Sequence, residues 1–111
     1  MVLVDGFLTQ PALAKLREAA AIEPTAHIYT QIAKVYGEHS QWSEALDALA
    51  AAQKIDANFP SIYAYKGIID YQTNRFAEAI AEYRHALALD PTLEPARTGL
   101  AAAQRRLAAG R

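Results

Sequence analysis

The sequence predicts an all-α protein, a stack of antiparallel helix pairs with about six helices in total. The chain repeats itself with a period of 34 residues, and apolar residues recur at helical spacing between short turn-forming segments. A period in this range is typical of stacked supersecondary units, each of which buries its apolar face against its neighbours. Such an array presents an extended surface rather than an enclosed reaction chamber, so the sequence favours a binding module.

The repeat is visible when the chain is shifted by 34 residues against itself. Of ten aligned positions, nine keep the size or character of the side chain, and only Tyr36/Asp70 does not. The aligned pairs are Tyr29/Tyr63, Ala33/Gly67, Tyr36/Asp70, Trp42/Phe76, Glu44/Glu78, Ala45/Ala79, Leu49/Tyr83, Ala52/Ala86, Ile55/Leu89 and Asp56/Asp90.

The first three helices are predicted at residues 11–22, 26–38 and 42–55. The first has the spacing of small and apolar residues found later at residues 79–91, so it corresponds to the second helix of a preceding unit. Apolar residues at helical spacing indicate the second helix, and turn formers from Gly37 onward end it. The pattern then resumes as the third helix, which ends before Pro60.

The last three helices are predicted at residues 60–73, 76–89 and 94–108. Pro60 suits the first turn of the fourth helix. Asn74, in the next turn, is a candidate N-cap for the fifth helix, which Asp90 and Pro91 end. The sixth begins a third unit, and its polar residues Gln104, Arg105 and Arg106 suit a helix that covers the last apolar face.

The predicted organisation is an N-terminal segment, residues 1–10, followed by a single domain, residues 11–111. Within the domain we expect a half repeat at 11–25, two repeats at 26–59 and 60–93, and a covering helix at 94–111. Small residues should lie where the helices of a unit cross, because close approach leaves little room there. These are Ala33, Gly67 and Ala101, facing Ala45 and Ala79.

The repeated residues resemble the tetratricopeptide repeat. The second unit carries Tyr63, Gly67, Ala79, Tyr83, Ala86 and Pro91, and the first carries Tyr29, Ala33, Tyr36, Ala45, Leu49 and Ala52. The departures are Lys66, Asp70 and Ala57, where Leu, Tyr and Pro are usual. The resemblance implies a right-handed superhelical stack, an α-solenoid, which acts as a protein-interaction scaffold.

The amino-acid composition argues against several classes of function. The 111 residues are 52% hydrophobic and suffice for one folded domain, and a net charge of −1 argues against a nucleic-acid binder. There is no cysteine, and the opening apolar run is too short for a signal or membrane span, so a cytoplasmic protein without membrane contact is expected. The histidines and glycines are scattered. We therefore expect no enzyme, no catalytic residue, no metal and no cofactor.

Two charge features allow alternative interpretations. Residues 92–111 carry four arginines against one Glu, whereas residues 1–91 carry 7 Lys/Arg against 11 Asp/Glu. These arginines either complement the end of a helix or attract an acidic partner. Lys66 and Asp70 lie four residues apart and can pair. They form either a partly exposed pair with the Lys stem covering apolar surface, or a polar spot for recognition.

The resemblance places the binding surface on the first helices, which line a concave groove that takes a peptide or partner helix. The candidate groove residues are His27, Thr30, Gln31, Lys34, Ser61, Ala64, Tyr65, Ile68, Tyr71, Gln72, Thr98, Ala102, Arg105 and Arg106. The carboxylate clamp of chaperone-tail binders is missing, since Thr30, Lys34, Tyr65, Pro95 and Gly99 stand at its positions. The alternative is a structural or oligomerisation module that stacks on itself, as a homodimer through uncovered terminal helices, or on the rest of a larger protein.

Overall fold

The computed structural model describes residues 11–110, and the six predicted helices lie within that range. Every observed helix end agrees with the prediction to within one residue, and residues 11–110 contain no strand. The predicted segment 1–10 and Arg111 lie outside the described residues. The helices are α1 Pro11–Ile22, α2 Ala26–Glu38, α3 Trp42–Ile55, α4 Pro60–Gln72, α5 Phe76–Leu89 and α6 Glu94–Ala109.

The helices form two compact units that divide between Ala57 and Asn58, two residues before the predicted start of the second repeat. In the first unit, α2 packs on α3 as a pair and α1 packs on α2. In the second unit, α4 pairs with α5, and α6 packs on both of them. Pro60 and Pro95 stand in the first turns of α4 and α6, where their missing N–H groups have no intrahelical acceptor to lose.

The turn inside each unit has the same geometry, which corrects the prediction for Asn74. Asn74 and its counterpart Ser40 have positive φ angles of 65° and 59°, and the residues after them donate to Asp70 and Tyr36 carbonyls at 2.7 and 2.9 Å. This is a Schellman motif, which ends a helix with one left-handed residue. Asn74 therefore terminates α4 rather than capping α5, because its backbone has already left the extended region that an N-cap needs.

Replacing Ser40 with Gly should stabilise the protein. Ser40 holds φ at 59°, a left-handed conformation that costs a residue with a β-carbon about 1 kcal/mol and costs Gly almost nothing. The greater freedom of Gly in the unfolded chain offsets part of this gain, so we expect roughly 0.5 kcal/mol in urea denaturation. The matched control Ser40→Ala keeps the β-carbon and should give no gain; equal stabilisation by both variants would contradict the assignment.

Close packing in the second unit centres on Tyr83 of α5. The nearest side chain to Gly67 is the Tyr83 ring rather than Ala79, and a β-carbon at Gly67 would stand 2.7–2.9 Å from that ring. A β-carbon at Gly99 of α6 would come within 2.4–2.7 Å of the same ring. Ala101 was predicted to lie in a helix crossing, but it is exposed. The fully buried residues of α6 are Ala96 and Ala103. Burial raises the pKa of the Tyr83 hydroxyl to about 12.

Aliphatic side chains and alanines form most of the core in both units. The largest fully buried side chains include Leu13 of α1, Leu49 of α3 and Ile62 of α4. The aromatic residues of the repeat are buried unequally: Tyr63 is buried, whereas Tyr29, Trp42 and Phe76 are half-buried. The half-buried rings remain available to contact other groups.

Candidate functional site

In the first unit, the predicted groove residues lie on α2. His27 and Lys34 are exposed and Gln31 is half-buried, and their spacing of four and three residues places them on one face of the helix. Thr30 is 0% exposed, and its hydroxyl donates a hydrogen bond to the His27 carbonyl at 2.7 Å. Thr30 therefore supports the helix from inside and is unavailable to a ligand.

In the second unit, α4 carries the largest predicted set. Tyr65, Ile68 and Tyr71 are half-buried, so each combines packing against the unit with a surface that a partner can reach. Ser61 is half-buried as well, and Gln72 is exposed at the end of the helix. Ala64 is buried and offers no ligand contact. These side chains leave an apolar stripe with polar ends along α4.

Helix α6 brings one predicted residue directly onto that stripe. The Arg106 guanidinium carbon lies 5.7 Å from the Tyr71 ring centre and 4.7 Å from that of Phe76. The two rings meet edge to face, with centres 5.4 Å apart. Phe76 is not among the groove residues predicted from the sequence. The remaining predicted α6 residues are Thr98 and Arg105, both exposed, and Ala102, which is half-buried.

The polar residues Lys66 and Asp70 enter a charged seam between α4 and α5. The Asp70 carboxylate lies 3.9 Å from the Arg75 guanidinium, and the Lys66 ammonium lies 5.6 Å from the Tyr63 ring centre. His85 of α5 stacks on the same ring, with centres 3.7 Å apart. Lys66 is also close enough to act electrostatically on Asp70. The seam thus holds both residues on a partly buried surface of the second unit.

The carboxyl groups of this seam make a pH prediction possible. Burial is the main cause that raises the pKa of Glu82 above 4.5 and that of Asp70 above 3.8. A raised pKa in the folded state means that the fold favours the protonated form. The resulting stabilisation is complete below the unfolded pKa and is lost as pH rises through the folded pKa.

We therefore expect Glu82→Gln to reduce the fall in stability as pH rises above about 4.5. The variant removes the carboxylate that would have to ionise in the seam, so its free energy of unfolding should depend less on pH there. Urea denaturation in a pH series reports the slope for both proteins. If the wild type and the variant have the same slope across this window, Glu82 does not titrate with a raised pKa.

The clefts of the two units lie away from the predicted groove residues. In the first unit, residues of α1, α2 and α3 line an open cleft of about 470 Å³. Its charged lining residues are Arg17, Glu44 and Asp47; Tyr29 and Tyr36 add aromatic surface. Glu44 lies in the first turn of α3, where a carboxylate interacts favourably with the helix dipole. In the second unit, α5 and α6 line a cleft of about 410 Å³.

Within residues 11–110, no group of three or more His, Cys, Asp or Glu side chains is placed to hold a metal ion. The described helices also include none whose length and hydropathy would let it cross a membrane.

Comparison with known proteins agrees with this geometry. Residues 60–93 match the family model described as tetratricopeptide repeat. A protein of Mycosarcoma maydis, small glutamine-rich tetratricopeptide repeat-containing protein 2, is 28% identical over 97 residues, which is 86% of this chain. The chain spans only 28% of that relative's length.

A solved structure, the Arabidopsis OM64 TPR domain, aligns with 84% of this chain and 78% of its own, with a TM-score of 0.72 and 24% identity. The predicted all-α, tetratricopeptide-like fold class is thereby confirmed. Tetratricopeptide repeat proteins typically act as protein-interaction modules, and their fold is generally a non-catalytic scaffold. Residues 60–93 match the tetratricopeptide repeat model, and the chain is similar over most of its length to proteins that carry this repeat.

Proposed function

We propose that the protein binds a peptide or a partner helix through the exposed faces of α4 and α6 in the second unit. The observation that carries this proposal is the packing of Arg106 on Tyr71 and Phe76. It joins predicted binding residues from two helices into one surface of the second unit. Tyr and Arg are also the residue types most enriched among those that dominate binding energy at protein interfaces.

The chemistry of this surface suits a ligand with an apolar side chain flanked by polar groups. Tyr65, Ile68 and Tyr71 offer half-buried apolar area, and Gln72, Thr98 and Arg105 are exposed polar residues of the same two helices. A central apolar contact with a polar rim is the usual composition of a protein interface. Arg105 is exposed and favours a carboxylate on the ligand, while Arg106 is already held against two rings.

We propose that the protein acts in the cytoplasm as a scaffold. In this role it catalyses no reaction and binds no cofactor, nucleic acid or membrane. Its scattered histidines and its family's generally non-catalytic fold support this reading. The acidic tails of chaperones are not the ligand we propose, because Lys34, Tyr65 and Gly99 stand where that clamp has its asparagine and arginine donors.

Tyr65→Ala and Ile68→Ala should each weaken ligand binding by about 1–2 kcal/mol, because each removes apolar area that a partner would cover. Peptides selected from a displayed random library provide the ligand, and fluorescence anisotropy measures the dissociation constants. Circular dichroism must show that each variant keeps its helicity. A large loss of helicity would place the residue in the core and remove it from the proposed surface.

Ile55→Ala is the matched control for Ile68→Ala. Ile55 is 46% exposed but lies on α3, outside the proposed surface, so its truncation should leave peptide affinity unchanged. Equal weakening by both isoleucine variants would contradict the surface. So would peptides whose affinity survives the combined Tyr65→Ala/Ile68→Ala change.

A second candidate function is self-association, and exposed apolar side chains of the first unit favour it. Ile22 at the end of α1 is 85% exposed, and Leu46 of α3 is 44% exposed. Burying such groups against another copy would stabilise a homodimer. Sedimentation velocity over a range of concentrations tests this: a dimer that Ile22→Ser dissociates supports self-association, and a monomer at all concentrations excludes it.

A further inference from the structure

We propose that the cleft of the first unit is a second recognition site, which takes the lysine or arginine side chain of a partner protein. In the bound state, the cationic group would lie over the Tyr29 ring and beside the carboxylates of Glu44 and Asp47. This surface uses a different face of α2 from His27, Gln31 and Lys34, so it does not depend on the function proposed above.

The charge inside the cleft favours a cationic ligand. Glu44 and Asp47 are exposed on successive turns of α3 and both line the cleft. Among the described residues, neither carboxylate has a hydrogen bond or an ion pair. Arg17 lines the cleft from α1, but its guanidinium donates to the Tyr36 hydroxyl and lies 5.6 Å from that ring's centre. The guanidinium stays charged, so these three charged lining residues leave the cleft with a net charge of −1.

The fold does not require these unpaired carboxylates, because the second unit lacks them. The counterpart of Glu44 is Glu78, which lies 3.9 Å from Arg75 in an i, i+3 pair. The residue before α3 that corresponds to Arg75 is Gln41, which cannot pair in this way. The counterpart of Asp47 is Ala81. The first unit thus has one carboxylate more and one cation fewer at the same positions.

The second unit holds a cation over the tyrosine that corresponds to Tyr29. Tyr29 corresponds to Tyr63, and over Tyr63 the structure holds the Lys66 ammonium at 5.6 Å and the stacked His85 ring at 3.7 Å. A cation over a tyrosine face is attracted by the ring quadrupole, and nearby carboxylates add to that attraction.

In the first unit, the positions of Lys66 and His85 are taken by apolar residues, Ile32 and Ala51. Ala20, Ala21 and Ala48 also line the cleft, so space of about 470 Å³ remains where the second unit has its own polar side chains. The Tyr29 ring, two carboxylates and the space are present, whereas Arg17, the lining residue with a positive charge, lies over Tyr36 and not over Tyr29.

Small amides test the site directly. We would titrate the ¹⁵N-labelled full chain with N-acetyl-arginine amide and N-acetyl-lysine amide, with N-acetyl-glutamine amide as the uncharged probe at equal ionic strength. The basic probes should give saturable millimolar shifts at the amides of Tyr29, Ala48 and Ala51. Glu44→Gln/Asp47→Asn should weaken this binding roughly tenfold, since each exposed charge pair contributes a modest amount. Equal shifts with the glutamine probe, or none with the basic probes, would overturn the proposal.

Two further variants separate the site from general charge effects. Glu78→Gln removes the corresponding carboxylate in the second unit and should leave the arginine probe's affinity unchanged. Ala51→Leu fills the cleft without changing charge and should abolish binding. If Glu78→Gln weakens binding as much as the double variant, the effect is one of overall charge and the site is wrong. If the same amides shift with protein concentration alone, the occupant is a second copy, which overturns the choice of a separate partner.

Discussion

Gly67→Leu is expected to destabilise the protein by about 3 kcal/mol, because the second unit has no space for a side chain at this position. Even a β-carbon there would lie 2.7–2.9 Å from the Tyr83 ring, closer than carbon atoms approach without a shift. Tyr83 is only 2% exposed, and Gly99 approaches the same Cε1–Cζ edge of its ring. The ring therefore cannot move aside without disturbing α6. Urea denaturation measures the loss, and a Gly67→Leu protein as stable as the wild type would contradict the packing.

In the first unit, a smaller residue on the second helix makes room for the β-carbon that the second unit cannot accommodate. At the corresponding positions it carries Ala33 and Leu49, so a β-carbon on the first helix of the pair accompanies a smaller partner on the second. Gly67→Ala should lose stability through the contact with Tyr83, although the better helix propensity of Ala offsets up to about 1 kcal/mol. Adding Tyr83→Leu should relieve the contact, so the double variant should be more stable than the two single effects predict. Strict additivity would show that these residues do not share one contact.

Periodicity predicted the helices well because the same two signals mark every boundary. Turn formers and prolines separate runs of helical spacing, and Pro60 illustrates the rule by beginning α4 where a missing N–H does no harm. The turns themselves were less predictable. Asn is common both as an N-cap and as a left-handed residue, so its identity alone does not distinguish the start of α5 from the end of α4.

The candidate site was predictable in outline only. A residue's repeat position indicates which face of a helix it occupies, and this placed Tyr65, Ile68 and Tyr71 on partly accessible surface. It did not show that Thr30 is buried, because a threonine can satisfy its hydroxyl within its own helix. The stacking of Arg106 on Phe76 also depends on how α6 packs, which a repeat pattern does not specify.

The cleft of the first unit was missed for a related reason. Glu44 matches Glu78 across the repeat, and the match suggests a shared structural role at the start of a helix. The informative signal was the mismatch around it, namely Gln41 against Arg75 and Asp47 against Ala81. In a repeat protein, positions that differ between units are candidates for function because the fold tolerates either residue.

Leu49→Ala is expected to cost about 2–5 kcal/mol of unfolding free energy, because it would leave a cavity at the centre of the α2–α3 pair. Leu49 is 0% exposed and is the first unit's counterpart of Tyr83. The matched control is Leu46→Ala, the same substitution one turn earlier on the same helix at a residue that is 44% exposed.

The control should cost less than about 1 kcal/mol, since nearly half of Leu46 is already exposed to water. Both variants replace Leu with Ala in α3, so helix propensity changes by the same small amount and cancels in the comparison. The difference between their unfolding free energies in urea therefore reports burial alone. Equal losses would mean that α3 does not present its Leu49 face to α2, and the alignment of the two repeats would then be out of phase.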